Sequence, residues 1–472
     1  MKGKYDYYKS DEFLAILKEY EDCEKRNVPC IISSEDYADI AEYYDNNNLT
    51  EQALRAIDAA LDIYPGEIYP LALRARFALV HNHNPQEARF YANQIEDKGN
   101  MEYHYLMAEI FIAEKQTEKA DSYLEKVFED IDEDELEEST LDVASLFTDY
   151  EQYETSWKWL QKIDERDDEE YLLLLGRTLE GLGRNEESEK VFNKLIDIDA
   201  FSSDYWDCLA ATQYNQHKFN ESISSSEYSI ALNPDNDEAT LNIANGLYSL
   251  GNYAEALSYY ERYNKLRPDD EYGELFCGIC LINLDRNEEA LEHLLRAEKI
   301  APPYSNNLPD ICQEIAFAKD KTGDLEGALA SLDKAAQLNG NHAELLVLKG
   351  QFYLEHDQTE EAQLCFNNAI RESNSAPDIF YRIAVAAYEA GYVHMAGEML
   401  DILYKNTNWN KGYSYMAVCQ FLGNNMDRFY EYLQKAVEQD AREAKLILGY
   451  MFPEGMDPSD YYQYAISNYS ML

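Results

Sequence analysis

The sequence predicts an all-α solenoid, a row of short helix pairs stacked on one another, and three observations predict it. Pro234, Pro268 and Pro302 follow at a constant step of 34 residues, and the residues between them keep that step: Ala256 is answered by Ala290, Ala244 by Gly278 and Leu247 by Leu281. A fixed period of this length marks one small helical unit copied along the chain. Hydrophobic residues make up 46% of the 472 residues, enough for a continuous core, so wholesale disorder is excluded. Only 12 prolines and 20 glycines are present, and most stand where a helix should end. Length alone would suggest several globular domains, but the core of a repeat array grows lengthwise and never has to become thick.

The unit beginning at Asp237 sets the pattern. Its first helix carries Thr240, Ile243, Ala244 and Leu247, an apolar stripe at the spacing i, i+3, i+4, i+7. Gly251 then closes the helix by supplying a left-handed conformation. A second helix with Ala256, Tyr260 and Tyr263 ends at Pro268. Small alanines at the crossing points let the two helices approach closely. Corresponding starts fall near Ser34, Tyr69, Met101, Glu137, Glu169, Ser203, Asp237, Glu271, Pro309, Ala343, Pro377 and Asn410, about twelve units in all. The second is short and poor in the pattern, the fourth is displaced between acidic runs, and extra residues sit around 303–308. The array is expected to span 34–440, with a candidate hinge near 303–308. Residues 1–33 supply an N-terminal capping helix (10–25) and residues 441–472 C-terminal capping helices, because exposed end faces of stacked repeats need covers.

This pattern resembles the tetratricopeptide repeat, a pair of antiparallel helices in 34 residues. The unit starting at Ser34 places Tyr37, Ile40, Ala41, Tyr44, Ala53, Ile57, Ala60 and Pro65 in the family's positions 4, 7, 8, 11, 20, 24, 27 and 32. The unit starting at Ser203 offers Trp206, Leu209, Ala210 and Pro234, but puts Ser222, Ser226 and Ser229 where alanine or larger residues are usual. The resemblance implies a right-handed superhelical solenoid whose inner groove meets protein or peptide ligands.

Charge restricts the partners. The chain has 40 Lys+Arg against 91 Asp+Glu, a net charge of −51. Nucleic-acid binding is driven by counterion release at a basic stripe, which this chain lacks. The same field repels an anionic membrane surface. A protein or peptide of neutral or basic charge remains the expected partner. From Met1 to Tyr8 no apolar run announces a secretion signal, and no stretch approaches the roughly 20 apolar residues that span a bilayer. Eight scattered cysteines agree with reduced thiols, so the cytoplasm is the expected compartment.

No motif for catalysis, a metal or a cofactor stands out. The Cys277 and Cys280 pair lies inside a first helix with no second pair to complete a zinc site, and it reads as core. His81 and His83 sit in an inter-helix loop, with His104 beyond, and lack a converging third ligand. Gly181 and Gly183 follow a helix rather than a strand and read as its stop. The chain is therefore read as a non-enzyme needing no cofactor.

In the resembled family the stripe at positions 2, 5, 9 and 12 of the first helix lines the groove. Here Tyr105, Tyr214, Tyr248, Phe317, Tyr381, Tyr388 and Phe421 fall on or within one residue of it, with Arg177, Asn245 and Arg382, and Asn242 lies on the same helix as Asn245. Aromatic rings give contact area at low entropic cost, and asparagine can hold a peptide backbone. A subset of the family clamps chaperone C-terminal carboxylates with lysine at position 5 and asparagine at 9. Leu241 stands where that lysine should be beside Asn245, and the early units offer Ala38 with Glu42, so the chaperone tail is excluded as the ligand. The expected function is a protein- or peptide-binding scaffold with an acidic, aromatic groove. The alternative is a ligand-responsive regulator whose coil changes pitch on binding a small peptide.

Overall fold

The computed structural model describes residues 7–469 apart from residues 27, 48, 165 and 339. The opening residues 1–6, on which the reading of the N-terminus partly rests, lie outside the described residues. The described residues are helical and hold no strand. They divide into two compact units, Met1–Leu232 and Asn233–Leu472.

In the first unit the helix Asp11–Arg26 precedes six pairs: Ser34–Asn46 with Thr50–Ile63, Ile68–Val80 with Pro85–Ala92, Met101–Ala113 with Thr117–Val127, Glu133–Asp149 with Tyr153–Leu160, Glu169–Gly181 with Asn185–Ile198, and Ser203–Asn215 with Phe219–Leu232. The second unit holds six more: Asp237–Ser249 with Tyr253–Leu266, Glu271–Asn283 with Asn287–Ile300, Leu308–Lys321 with Leu325–Gln337, His342–Glu355 with Thr359–Glu372, Pro377–Glu389 with Val393–Asn406, and Tyr413–Leu422 with Met426–Gln439. Helices Ala441–Leu448 and Tyr461–Tyr469 follow.

The pattern residues do what their spacing requires. Tyr37, Ile40, Ala41 and Tyr44 of one helix are buried against Ala53, Ile57 and Ala60 of its partner. Ser33 caps the first of these through a reciprocal bond with Asp36, satisfying two of the helix's orphan N–H groups. The helix Asp11–Arg26 packs on this pair, with Tyr20 edge-on to Tyr37 at 5.7 Å. At the other end Phe452 stacks on Tyr461 at 3.9 Å, within the core that includes Phe429 and Leu433.

One conformation recurs at the fifteenth position of the repeats. Gly183, Gly251, Gly323 and Gly391 have positive φ there, and so do His83, Lys115, Glu151, His217, Asp285, Asp357 and Asn424. The twelfth such position, Asn48, lies outside the described residues. The turn is closed by paired bonds, as at Gly251, whose N–H reaches Tyr248 O while Asn252 N–H reaches Leu247 O, both at 2.9 Å. A left-handed residue with a Cβ is strained by about 1–2 kcal/mol. Lys115→Gly and His217→Gly are therefore expected each to stabilise their unit by about 1 kcal/mol. Gly251→Ala should do the reverse, since an added Cβ there meets nothing within 4 Å and only the dihedral strain counts. Urea midpoints measure all three.

Of the serines that break the pattern, Ser222 is explained by its bond, while Ser226 has a buried hydroxyl with no hydrogen-bond partner among the described residues. Ser222 is buried and its hydroxyl donates to Ala210 O at 2.8 Å; Ser188 does the same to Gly176 O at 2.9 Å. Thr148, Ser156 and Thr178 form a buried triangle of hydroxyls at 2.7–3.1 Å, and Ser188 lies 3.3 Å from Thr212. A buried hydroxyl is tolerated once bonded. The extra residues around 303–308 form a longer turn pinned to Glu271, which accepts from Ser305 Oγ at 2.5 Å and from Asn307 Nδ2 at 3.1 Å.

Candidate functional site

The second unit carries a groove of about 540 Å³. Helix His342–Glu355 contributes Glu344, Val347, Leu348 and Gln351, and helix Pro377–Glu389 contributes Asp378, Tyr381, Arg382, Val385, Ala386 and Glu389. Both sets follow i, i+3, i+4, i+7, so each is one face of its helix. Gln313 closes one side, while Trp409, Lys411 and Tyr415 close the other. The floor is aliphatic and one wall aromatic: Tyr381 lies 5.6 Å from Trp409 and 6.4 Å from Tyr415, which in turn lies 5.1 Å from Tyr388.

Trp409 and Lys411 enter from the loop between helices Val393–Asn406 and Tyr413–Leu422. The loop is held by Tyr404, whose hydroxyl donates to Lys411 O at 2.8 Å, and by the Trp409 N–H on Thr407 Oγ1 at 3.1 Å. Gly412, at φ +81°, lets it press on Tyr381, because a Cβ there would come within 2.5 Å of that ring. Arg382 pairs with Glu344 at 3.2 Å. Burial raises the Glu389 carboxyl above its usual range, against a hydrogen bond from Gln351, with Glu355 adding to the rise. Burial and Glu443 likewise raise the Tyr381 hydroxyl.

The first unit has a groove of about 510 Å³ with a different lining. Leu141, Leu173 and Leu174 make its walls, and Asp142, Asp149, Glu169 and Glu170 surround a single cation, Arg177. Arg177 is bound to Asp149 at 3.2 Å. The Asp142 carboxyl is raised by burial, despite the Tyr105 hydroxyl donating to it at 3.1 Å, with Glu138, Glu170 and Glu102 adding to the rise.

The eleven residues singled out by position are thus distributed. Tyr381 and Arg382 line the second unit's groove, and Tyr388 adjoins it through Tyr415. Arg177 lines the first unit's groove, with Tyr105 bonded to its edge. Tyr214 packs at 5.3 Å from Phe219. Tyr248 stands edge-on to Phe276 at 5.6 Å, and Phe317 edge-on to Phe352 at 5.3 Å. Asn245 accepts from the Tyr260 hydroxyl at 2.7 Å, while Asn242 has a buried Nδ2 with no hydrogen-bond partner among the described residues. Phe421 packs on Phe429 and Tyr469. Trp409, Lys411, Gln351 and Glu389 were not singled out: the first two lie outside any first helix, Gln351 falls on the stripe's ninth position but carries no ring, and Glu389 sits one step past Tyr388.

The motifs read as structural are in structural surroundings. Cys277 and Cys280 are fully buried, and burial pushes the Cys280 thiol up to about 12. His81 stacks on Phe77 at 4.4 Å beside Asp45, and His104 shares a 2.6 Å hydrogen bond with the Tyr123 hydroxyl. Among the described residues no group of three or more His, Cys, Asp or Glu is placed to hold a metal ion, and no helix is long and apolar enough to cross a membrane.

Residues 102–129 and 169–201 match one family model of the tetratricopeptide repeat, and residues 209–271 match another. The chain is a protein that carries tetratricopeptide repeats in those stretches. As such a protein it has the build of a protein-interaction scaffold. No curated protein matches it. Among solved structures, it is similar to MamA (41-end) from Desulfovibrio magneticus RS-1, at 15% identity and a TM-score of 0.34 over 36% of this chain and 93% of that one. It is also similar to MamA AMB-1, at 23% identity and a TM-score of 0.33 over 36% and 98% of the two chains. Pseudomonas aeruginosa PilF aligns at 19% identity and a TM-score of 0.37 over 43% and 91%.

Proposed function

We propose that this protein is a non-enzymatic, cytoplasmic scaffold that holds a neutral or basic segment of another protein in the groove of its second unit. One observation carries the reading: an aliphatic floor faced by Tyr381, Trp409 and Tyr415, with polar groups at its ends. Side chains of the bound segment bury apolar area on Val347, Leu348 and Val385, which supplies affinity. Gln313, Asp378 and Glu389 supply hydrogen bonds that fix register. The net charge of −51 speeds encounter with a basic segment and discourages nucleic acid.

The test is selection of short displayed peptides on the full chain, followed by affinity measurement on the Tyr381→Ala and Trp409→Ala variants. Central aromatic anchors cost about 2 kcal/mol or more when truncated, so each variant is expected to weaken the selected peptides roughly thirtyfold. Enriched peptides should be basic or neutral, and their association should slow as salt rises. Peptides that bind both variants as tightly as the parent would remove the groove from the proposal.

A further inference from the structure

The first unit carries another apolar surface, away from its groove. It lies where the end of helix Asn185–Ile198 and the loop 199–202 meet helices Ser203–Asn215 and Phe219–Leu232. Phe201 is 84% exposed, Tyr228 58% and Ile198 48%. Trp206 ties the loop to the helix that carries Tyr228, since its Nε1 donates to Ala200 O, next to Phe201, at 3.0 Å and the Tyr228 ring stacks on its indole at 4.7 Å. The Phe201 N–H bonds to Asp199 Oδ1 at 3.0 Å, which fixes the loop and presents the ring to water. An aromatic cluster already ordered in the unbound chain loses little freedom on binding. Exposed apolar side chains brought together on one edge mark interaction sites.

The rim identifies the occupant. Asp197, Asp204 and Glu227 are exposed beside the patch, and Lys194, the nearest cation in sequence, is held by Asp167. We infer that this edge docks a basic amphipathic segment of another protein, whose apolar side chains cover Phe201 and Tyr228 while its lysines or arginines meet the rim. A second copy of this chain would bring another −51 charges to the same place, and an anionic bilayer would meet the same repulsion. The edge shares no residue with either groove, so the inference stands or falls independently of the groove reading.

The experiment titrates the full chain with two short fluorescent peptides of equal charge, one an amphipathic lysine–leucine helix and the other lysine–serine. Wild type is expected to prefer the lysine–leucine peptide by about tenfold or more. Made together with Tyr381→Ala, which removes an anchor of the groove, Phe201→Ala/Tyr228→Ala leaves the net charge unchanged and should abolish that preference, whereas Tyr381→Ala alone should retain it. Phe201→Ser alone, at a position that contributes almost nothing to the core, should reduce it, with circular dichroism verifying the fold. A preference that survives Phe201→Ala/Tyr228→Ala in the Tyr381→Ala background overturns the inference, as does one lost in Tyr381→Ala alone. Self-association of the wild type, or binding to phosphatidylglycerol vesicles, that requires Phe201 would assign the edge to a second copy or a membrane and equally overturn it.

Discussion

Replacing Arg76 by methionine is expected to destabilise the first unit by about 3–5 kcal/mol, the cost of leaving a buried charge without its partner. The Arg76 guanidinium grips Glu109 through Nε at 3.0 Å and Nη2 at 2.8 Å, and reaches Glu102 through Nη1 at 2.5 Å. Glu109 is 6% exposed, and the Tyr150 hydroxyl, 3.4 Å away, also donates to it. Burial by itself would lower the Arg76 pKa, yet Glu109 and Glu102 together hold it above its usual value. Lysine is a poor substitute, because a point charge cannot reproduce a fork that meets two carboxylates. The measurement is urea denaturation of Arg76→Met, Glu109→Leu and the pair. If the orphaned carboxylate causes the loss, Arg76→Met/Glu109→Leu should recover most of it. A double variant as unstable as the sum of the singles would show that packing, not charge, is what Arg76 provides.

The second large effect concerns Glu314 on helix Leu308–Lys321. Burial, reinforced by Asp310 one turn earlier, raises its carboxyl to about 7, and no cation among the described residues pairs with it. Its proton is held more tightly folded than unfolded, where a glutamate titrates near 4.3. Between those values the folded chain binds more protons, so stability falls as pH rises. The contribution is fully present below the unfolded value and is lost as pH climbs through about 7. Glu314→Gln cannot ionise, and at pH 8 it should exceed wild type by on the order of 2–3 kcal/mol. Near pH 4 the two should agree. Urea midpoints of both proteins across that range measure it, and parallel pH profiles would contradict the assignment.

Neither group was legible in the sequence. With 91 acidic residues, any carboxylate has neighbours at helical spacing, so Glu109 and Glu314 look like the rest until folding buries the first and half-buries the second. The phase of the repeat was legible to the residue. Gly251 and Pro268 mark a turn and an end, and the same count leads to the left-handed Lys115 and Asp285, where no glycine advertises it. The groove was half legible. Tyr381 and Arg382 lie on a first helix, where counting positions reaches them. Trp409 and Lys411 sit in a connection that the period assigns only to a turn, and its return onto Tyr381 depends on Gly412 and Tyr404 acting together.

The hydroxyl triangle of Thr148, Ser156 and Thr178, continued by Ser188 and Thr212, has a consequence for how the first unit comes apart. Oily contacts between neighbouring repeats weaken gradually, whereas the bonds that cross between pairs, Thr178 to Thr148 and Ser156 and Thr212 to Ser188, break outright when the adjoining pairs part. Thr148, Ser156 and Ser188 keep partners within their own pair. The fourth, fifth and sixth pairs are therefore expected to exchange their amide hydrogens as one block, so that fraying entering from either side halts at this stretch or passes through all of it together.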